Sequence, residues 1–136
     1  MANGEPQVFG PADRLRLGAS VNLQDTLFNV VSGRITIGDD VFFGHRCMVL
    51  TGTHDVGFLG ASRQTAIPAE GRDVVIGAGV WIASGAIVIG PSRIGDHAVV
   101  SAGSIVRGDV EPFAIVAGNP AVQVGVVRPK APESGM

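Results

Sequence analysis

The chain has 136 residues, of which 46% are hydrophobic and 16% charged, and a formal net charge of −2. This is the composition of one folded domain and not of a disordered chain. Without a basic block the chain lacks the electrostatic drive for nucleic-acid binding, its single cysteine excludes an internal disulfide, and no apolar run reaches the roughly 18 residues of a membrane span.

Residues 1–14 read as a flexible leader. The opening MANGEPQ has neither a charged nor an apolar signal region, so a cytoplasmic protein is expected. From Leu15 the apolar residues are mostly Val, Ile, Ala and Leu, in short runs between Gly and Asp, which predicts strands and tight turns. A weak repeat begins at Leu17 and Leu23, with Val21 and Leu27 four residues behind them. After a two-residue slip near Phe28 to Ser32 it resumes as Ile37, Phe43 and Val49, followed at the same distance by Val41, Cys47 and Thr53.

Residues 55–69, DVGFLGASRQTAIPA, lack the repeat and read as a loop thrown from a corner just after His54. Long loops in compact domains commonly carry function; the alternative is a tolerated surface insertion. The repeat then becomes regular. Every sixth residue is a branched aliphatic: Ile76, Ile82, Val88, Ile94, Val100 and Val106. Val80, Ala86, Ser92, Ala98, Ser104 and Val110 follow in the small slot. It meets Pro112, and Val122 to Val127 predicts a last strand before a polar, mobile tail, so 122–136 forms a C-terminal strand and tail.

A period of six suits neither an amphipathic helix nor a hairpin array. It suits short strands that each place one large residue inward and then turn, three faces to a coil of about 18 residues. Ile76 then stacks on Ile94, Ile82 on Val100 and Val88 on Val106. One large inward residue in six is a thin core against a backbone ordering cost of about 1–2 kcal/mol per residue, which predicts an oligomer.

The segments TIGDDVFFGHRCMVLTGTHD and VVIGAGVWIASGAIVIGPSRIGDHAVVSAGSIVRGDVEPFAIVAGNPA, separated by the loop, resemble the hexapeptide-repeat acyltransferases, especially the galactoside, maltose and polysaccharide O-acetyltransferases. The resemblance covers about Ile35 to Ala121. It implies an all-β, left-handed parallel β-helix over 15–121 with one protruding loop, assembled as a homotrimer with active sites between subunits. It further implies an acetyl-CoA-dependent transferase acting on a saccharide or other small-molecule acceptor, with no metal and no nucleic-acid partner.

The resemblance places the catalytic histidine at His54. Histidines in general titrate near pH 6.5, which suits a base that takes an acceptor proton at neutral pH. Asp55 either orients the ring or caps a turn. Trp81, one place before inward Ile82, should point outward, and the resemblance sets it beside the cofactor with Ala83, Ser84 and Ala102. Arg107 supplies charge where the family often carries a lysine, and that lysine is missing here. Gly118, Asn119 and Pro120 should form the closing turn near the adenine end. Arg128 and Lys130 either reach phosphate or are solvated tail charges. Asn22, Gln24, Asp25 and Asn29 either line the sugar pocket or are ordinary corner polarity. His45 and His97 read as exposed turn residues and Cys47 as a core thiol.

Two alternatives share the repeat. A γ-type carbonic anhydrase needs three histidines on one zinc, but His45, His54 and His97 fall in different columns of the frame. A non-catalytic trimeric module would keep the β-helix without binding CoA.

Overall fold

A computed structural model describes residues 4–132. The chain runs β1 (Gln7–Phe9), a 3-10 turn (Ala12–Arg14), β2 (Leu15–Leu17), β3 (Leu27–Asn29), β4 (Ile35–Ile37), β5 (Phe42–Phe43), β6 (Met48–Leu50), helix α1 (Ala61–Thr65), β7 (Val74–Ile76), β8 (Trp81–Ile82), β9 (Ile87–Ile94), β10 (Val99–Val100), β11 (Ile105–Val110), β12 (Ala114–Gly118) and β13 (Ala121–Val126).

These strands wind into a parallel β-helix with three faces. One face stacks β2, β4, β7 and the ends of β9 and β11. The second stacks β5, β8, β10 and β12. The third stacks β1, β3, β6 and the starts of β9 and β11. Each strand hydrogen-bonds to the coils beside it, as from Trp81 N–H to Ala98 O at 3.1 Å and from Phe42 N–H to Val80 O at 3.1 Å. Short strands therefore satisfy their backbone groups without a hairpin partner.

The stacking read from the period is present: Ile76 pairs with Ile94, Ile82 with Val100 and Val88 with Val106. All six of these residues are buried, as are Val80, Ala86, Ser92, Ala98 and Ser104 in the small slots; Val110, read as a further small slot, is buried in the column of Ile94 instead, and Gly108 stands opposite Ser92. Phe28 and Phe43 fill the column near its N-terminal end, edge to face at 5.8 Å.

The early frame differs from the sequence reading. Phe28, not Leu27, is fully buried and partners Val49. The chain reaches it five residues after Leu23 rather than six, then takes nine to Ile37, so the two-residue slip is a short corner followed by a long one. Leu17 is 45% exposed because no coil lies above it to cover it. Residues 1–14, read as a flexible leader, include a paired strand: Phe9 stands beside Asn29, and Arg14 ties the turn to the carbonyls of Val30, Val31 and Ala69.

At the other end the register shifts between Arg107 and Gly108, so that Val110 pairs with Ile94 and the Gly90-Pro91 step has no counterpart. The strand expected from Val122 is β13, which runs antiparallel to β12 and ends the winding. The tail residues 133–136 lie outside the described residues.

Corners are fastened by side chains that accept backbone N–H groups from the adjacent coil. Asp39 Oδ1 takes Ala19 N–H at 2.8 Å, Asp96 Oδ1 takes Ala78 N–H at 2.9 Å, and Ser84 Oγ takes His45 N–H at 2.9 Å. Coils approach so closely there that a Cβ on Gly44 would lie 2.5 Å from Ser84 N. The small residue after the inward aliphatic is thus a requirement of coil spacing.

Candidate functional site

One coil carries an excursion. Ile35 pairs with Val74, 39 residues on, whereas Val74 pairs with Ser92 after 18. The 21 additional residues leave the prism after β6 and return before β7. Buried Thr51 fixes the exit: its hydroxyl donates to Asn29 O at 2.8 Å and accepts Ser32 N–H at 3.1 Å. Arg72 on the returning chain donates to Thr51 O at 2.9 Å.

His54 stands at this exit, exposed, and its Nδ1 lies 2.9 Å from the backbone O of Arg63 in α1. A carbonyl only accepts, so Nδ1 carries the hydrogen, and in the neutral ring Nε2 keeps its lone pair. Arg63 also clips the loop, donating Nε to Phe58 O at 2.7 Å and Nη2 to Val56 O at 2.9 Å. Asp55 does not hold the ring: its Oδ1 accepts Gly57 N–H at 2.9 Å and caps a turn.

Two clefts meet at His54. A cavity of about 200 Å³ is lined by Phe9, Asn29, Val31, Gly52, Thr53, His54 and Ile67. A wider one of about 450 Å³ is lined by His54, Gly60, Arg63 and Gln64. Of the four residues read as acceptor ligands, only Asn29 lines either cleft. Asn22, Gln24 and Asp25 occupy another corner. There Asn22 Oδ1 accepts Gln24 N–H at 3.2 Å, and Asp25 Oδ1 accepts Arg46 N–H at 2.7 Å. That second bond chiefly holds the Asp25 carboxyl below the usual carboxylate range, against a smaller opposing effect of desolvation.

Trp81 points outward, 43% exposed, and stacks on Phe42 with ring centroids 5.9 Å apart. Ala83 is buried, while Ser84 and Ala102 share an exposed corner joined by the bond from Gly103 N–H to Ser84 O at 3.0 Å. Arg107 and Arg128 are exposed, and Asn119 sits in the turn between β12 and β13. None of these residues lines the two clefts at His54 of the same chain. Phe9, Val31, Thr53 and Ile67 do line them, and sequence reasoning missed all four. The slip at Val31 and the paired leader were the only signals that could have found two of them.

His45 and His97 are exposed at two further corners, and His97 packs on Phe113 at 5.0 Å. Among the described residues no group of three or more His, Cys, Asp or Glu is placed to hold a metal. Cys47 is buried with Sγ 3.2 Å from Ala83 O, and burial pushes its thiol pKa up. This is the setting of an inert core thiol. No helix among the described residues is long and apolar enough to cross a membrane.

A three-faced parallel prism of six-residue steps defines a class, the hexapeptide-repeat proteins. The chain carries the bacterial transferase hexapeptide of six repeats over residues 73–108 and the hexapeptide repeat of succinyl-transferase over 34–54. The solved structures it resembles include hexapeptide-repeat-containing acetyltransferases. One, from Vibrio cholerae, superposes with a TM-score of 0.75 at 26% identity, over 91% of this chain and 72% of that one. A galactoside acetyltransferase in complex with coenzyme A gives 0.78 at 26%, over 92% and 61%. A chloramphenicol acetyltransferase of Agrobacterium fabrum is 53% identical over 49 residues, 36% of this chain and 23% of its own length. The chain spans well under half the length of that relative.

Proposed function

We propose that the protein transfers an acetyl group from acetyl-CoA to an acceptor hydroxyl, with His54 as general base, in a homotrimer whose active sites lie between copies. The observation that carries this is the bond from His54 Nδ1 to Arg63 O. It leaves Nε2 as the basic nitrogen, beside clefts able to admit an acceptor.

In this reading Nε2 takes the hydroxyl proton as the acceptor oxygen attacks the thioester carbonyl carbon. The tetrahedral intermediate collapses by breaking the C–S bond, and the imidazolium returns its proton to the departing thiolate. No acyl-enzyme forms. The buried thiol of Cys47 takes no part. Trp81, Ala83, Ser84 and Ala102 do not line the clefts at His54 of their own chain, and in this reading a neighbouring copy brings them to it. There they would flank the pantetheine arm, with Arg107, Asn119 and Arg128 toward the nucleotide end. A backbone N–H near Ser84 is the candidate oxyanion donor. The finer reading, a sugar acceptor, is supported by likeness to galactoside and maltose acetyltransferases at 26% and 25% identity.

The test is thiol release from acetyl-CoA over sugars and chloramphenicol, comparing wild type with His54→Ala. Loss of turnover by about 10²–10⁴-fold is expected, with CoA affinity by calorimetry largely kept. Equal turnover in the two proteins rejects the base assignment.

A further inference from the structure

The N-terminal segment fastens more than its own strand. Arg14 ends the 3-10 turn Ala12–Arg14, and its side chain reaches three carbonyls. Nη1 donates to Val30 O at 2.9 Å and to Val31 O at 3.1 Å, and Nη2 donates to Ala69 O at 2.9 Å. All three acceptors belong to the same chain, so the arrangement is complete without a neighbouring copy.

The two nitrogens serve different parts of the fold. Val30 lies in the long corner after β3 and is fully buried. Its N–H goes to Phe9 O at 2.9 Å, and a buried carbonyl left without a donor is costly. Nη1 supplies that donor. Nη2 instead reaches the chain returning from the excursion. Among the described residues, Pro68, Ala69, Glu70 and Gly71 make no other hydrogen bond. The next tie to the prism comes at Arg72, which donates Nε to Thr51 O and its N–H to Ser32 O.

From Ala69 the path to the imidazole is short. Ala66 O accepts Asp55 N–H at 2.7 Å and so joins the outgoing and returning legs of the excursion. One turn earlier is Arg63, whose carbonyl stands 2.9 Å from His54 Nδ1. Val31, one of the corner acceptors, and Ile67, just before the tie at Ala69, both line the smaller cleft at His54, and Arg14 does not.

We infer that Arg14 is a positioning residue for His54. One guanidinium nitrogen holds the long corner, the other pins the returning leg, and the rigid fork between them sets where α1 presents the Arg63 carbonyl to the ring. A lysine ammonium, a single point of donation on a flexible stem, does not reproduce that fork. The positioning rests on His54 acting as the base in acetyl transfer; the pinning of the loop does not.

Arg14→Lys separates the two duties, since its one nitrogen keeps the buried corner and leaves Ala69 free. Its melting temperature, and its CoA affinity by calorimetry, should match wild type. Backbone hydrogen exchange at Asp55 and Ala66 should quicken by about five-fold, the weight of one exposed hydrogen bond from a charged donor, with exchange at Trp81 and Ala83 in the coils unchanged. In thiol release from acetyl-CoA, kcat should fall about two- to five-fold while KM for acetyl-CoA stays put. Arg14→Ala should loosen the loop at least as much and also melt lower. Wild-type exchange at Asp55 and Ala66 in both variants overturns the pinning, as does exchange that quickens equally in loop and coils. Quickened loop exchange with wild-type kcat overturns the positioning of His54. Wild-type protein that binds CoA but releases no thiol with any acceptor overturns the acetyl-transfer reading and the positioning with it, while the exchange comparison still decides the pinning.

Discussion

Arg63→Ala loosens the imidazole support without touching the imidazole. The Arg63 carbonyl survives the change, but the side chain that holds it in place does not. Helix α1 is five residues long with none of them buried, far short of the roughly 12–15 residues that give an isolated helix marginal stability. Its position therefore depends on the two bonds from Arg63 to Phe58 O and Val56 O, together with the bond from Asp55 N–H to Ala66 O at 2.7 Å, which Arg63→Ala leaves in place. Hydrogen bonds from a charged donor contribute about 1.5–3 kcal/mol net, and exposure here reduces that to about 1 kcal/mol each. Losing about 2 kcal/mol shifts the ratio of ordered to open loop by about 30-fold, which is the upper bound on the fall in kcat/KM. Thermal melting should stay within about 2 °C, because the loop lies outside the coil register and opens locally. Thiol-release kinetics and a melting curve on the same preparation make the comparison. Wild-type kcat/KM in Arg63→Ala refutes the claim that the loop aligns His54. A large loss of melting temperature refutes the separation of loop from prism.

Further expectations concern the prism. Gly44→Ala puts a Cβ 2.5 Å from Ser84 N and should destabilise by about 1–3 kcal/mol in urea unfolding. Adding Ser84→Gly removes the clash with Ser84 Oγ but should not restore stability, since the backbone N and Cα of residue 84 still obstruct the Cβ. Cys47 has its thiol pKa raised above 9.0 by burial. The thiol thus favours the fold below pH 9.0, and that contribution is lost as pH rises through the folded value. A disulfide reagent at pH 8 should label it only on unfolding, and fast labelling of native protein would count against a buried thiol. Asp25 has its pKa lowered below 3.8, chiefly by Arg46 N–H, so its contribution is present above pH 3.8 and lost as pH falls through the folded value. Asp25→Asn should lower the melting temperature at pH 6 and converge with wild type in acid; a gap independent of pH would exclude the carboxylate as the cause.

The regular half of the chain was legible because its rule is local. From Ile76 to Val106 each inward residue is fixed by the one six places back, and stacking at 18 follows from three faces to a coil. The N-terminal coils were less legible because their corners differ in length. Nothing in the pattern at Leu27 and Phe28 says which of two adjacent apolar residues turns inward; the five-residue corner after Leu23 decides it. The leader escaped for another reason. Gln7, Val8 and Phe9 have no repeat of their own and become a strand only because β3 offers an unpaired edge. At the candidate site, His54 was picked out by the family resemblance together with its place before the loop, and the structure sets it beside two clefts. Its partner, a backbone carbonyl nine residues away in a five-residue helix, carries no side-chain signature at all.

The division between what repeats and what does not is also a division of labour. A uniform prism presents flat faces and nearly equivalent corners. The two clefts at His54 lie where a coil breaks register. Here the break of 21 residues falls after β6. The wide corner from Asn29 to Gly33, whose Ser32 and Asn29 bond to Thr51, lies directly beside it. Two departures of opposite kind, an added loop and a lengthened corner, thus stand side by side around one imidazole, with Phe9 closing the far wall. Restoring the repeat at either place, by excising residues 55–69 or shortening the corner at Val31, should leave a stable prism and remove the cleft. The periodic residues keep the fold standing, and the aperiodic ones give it somewhere to bind.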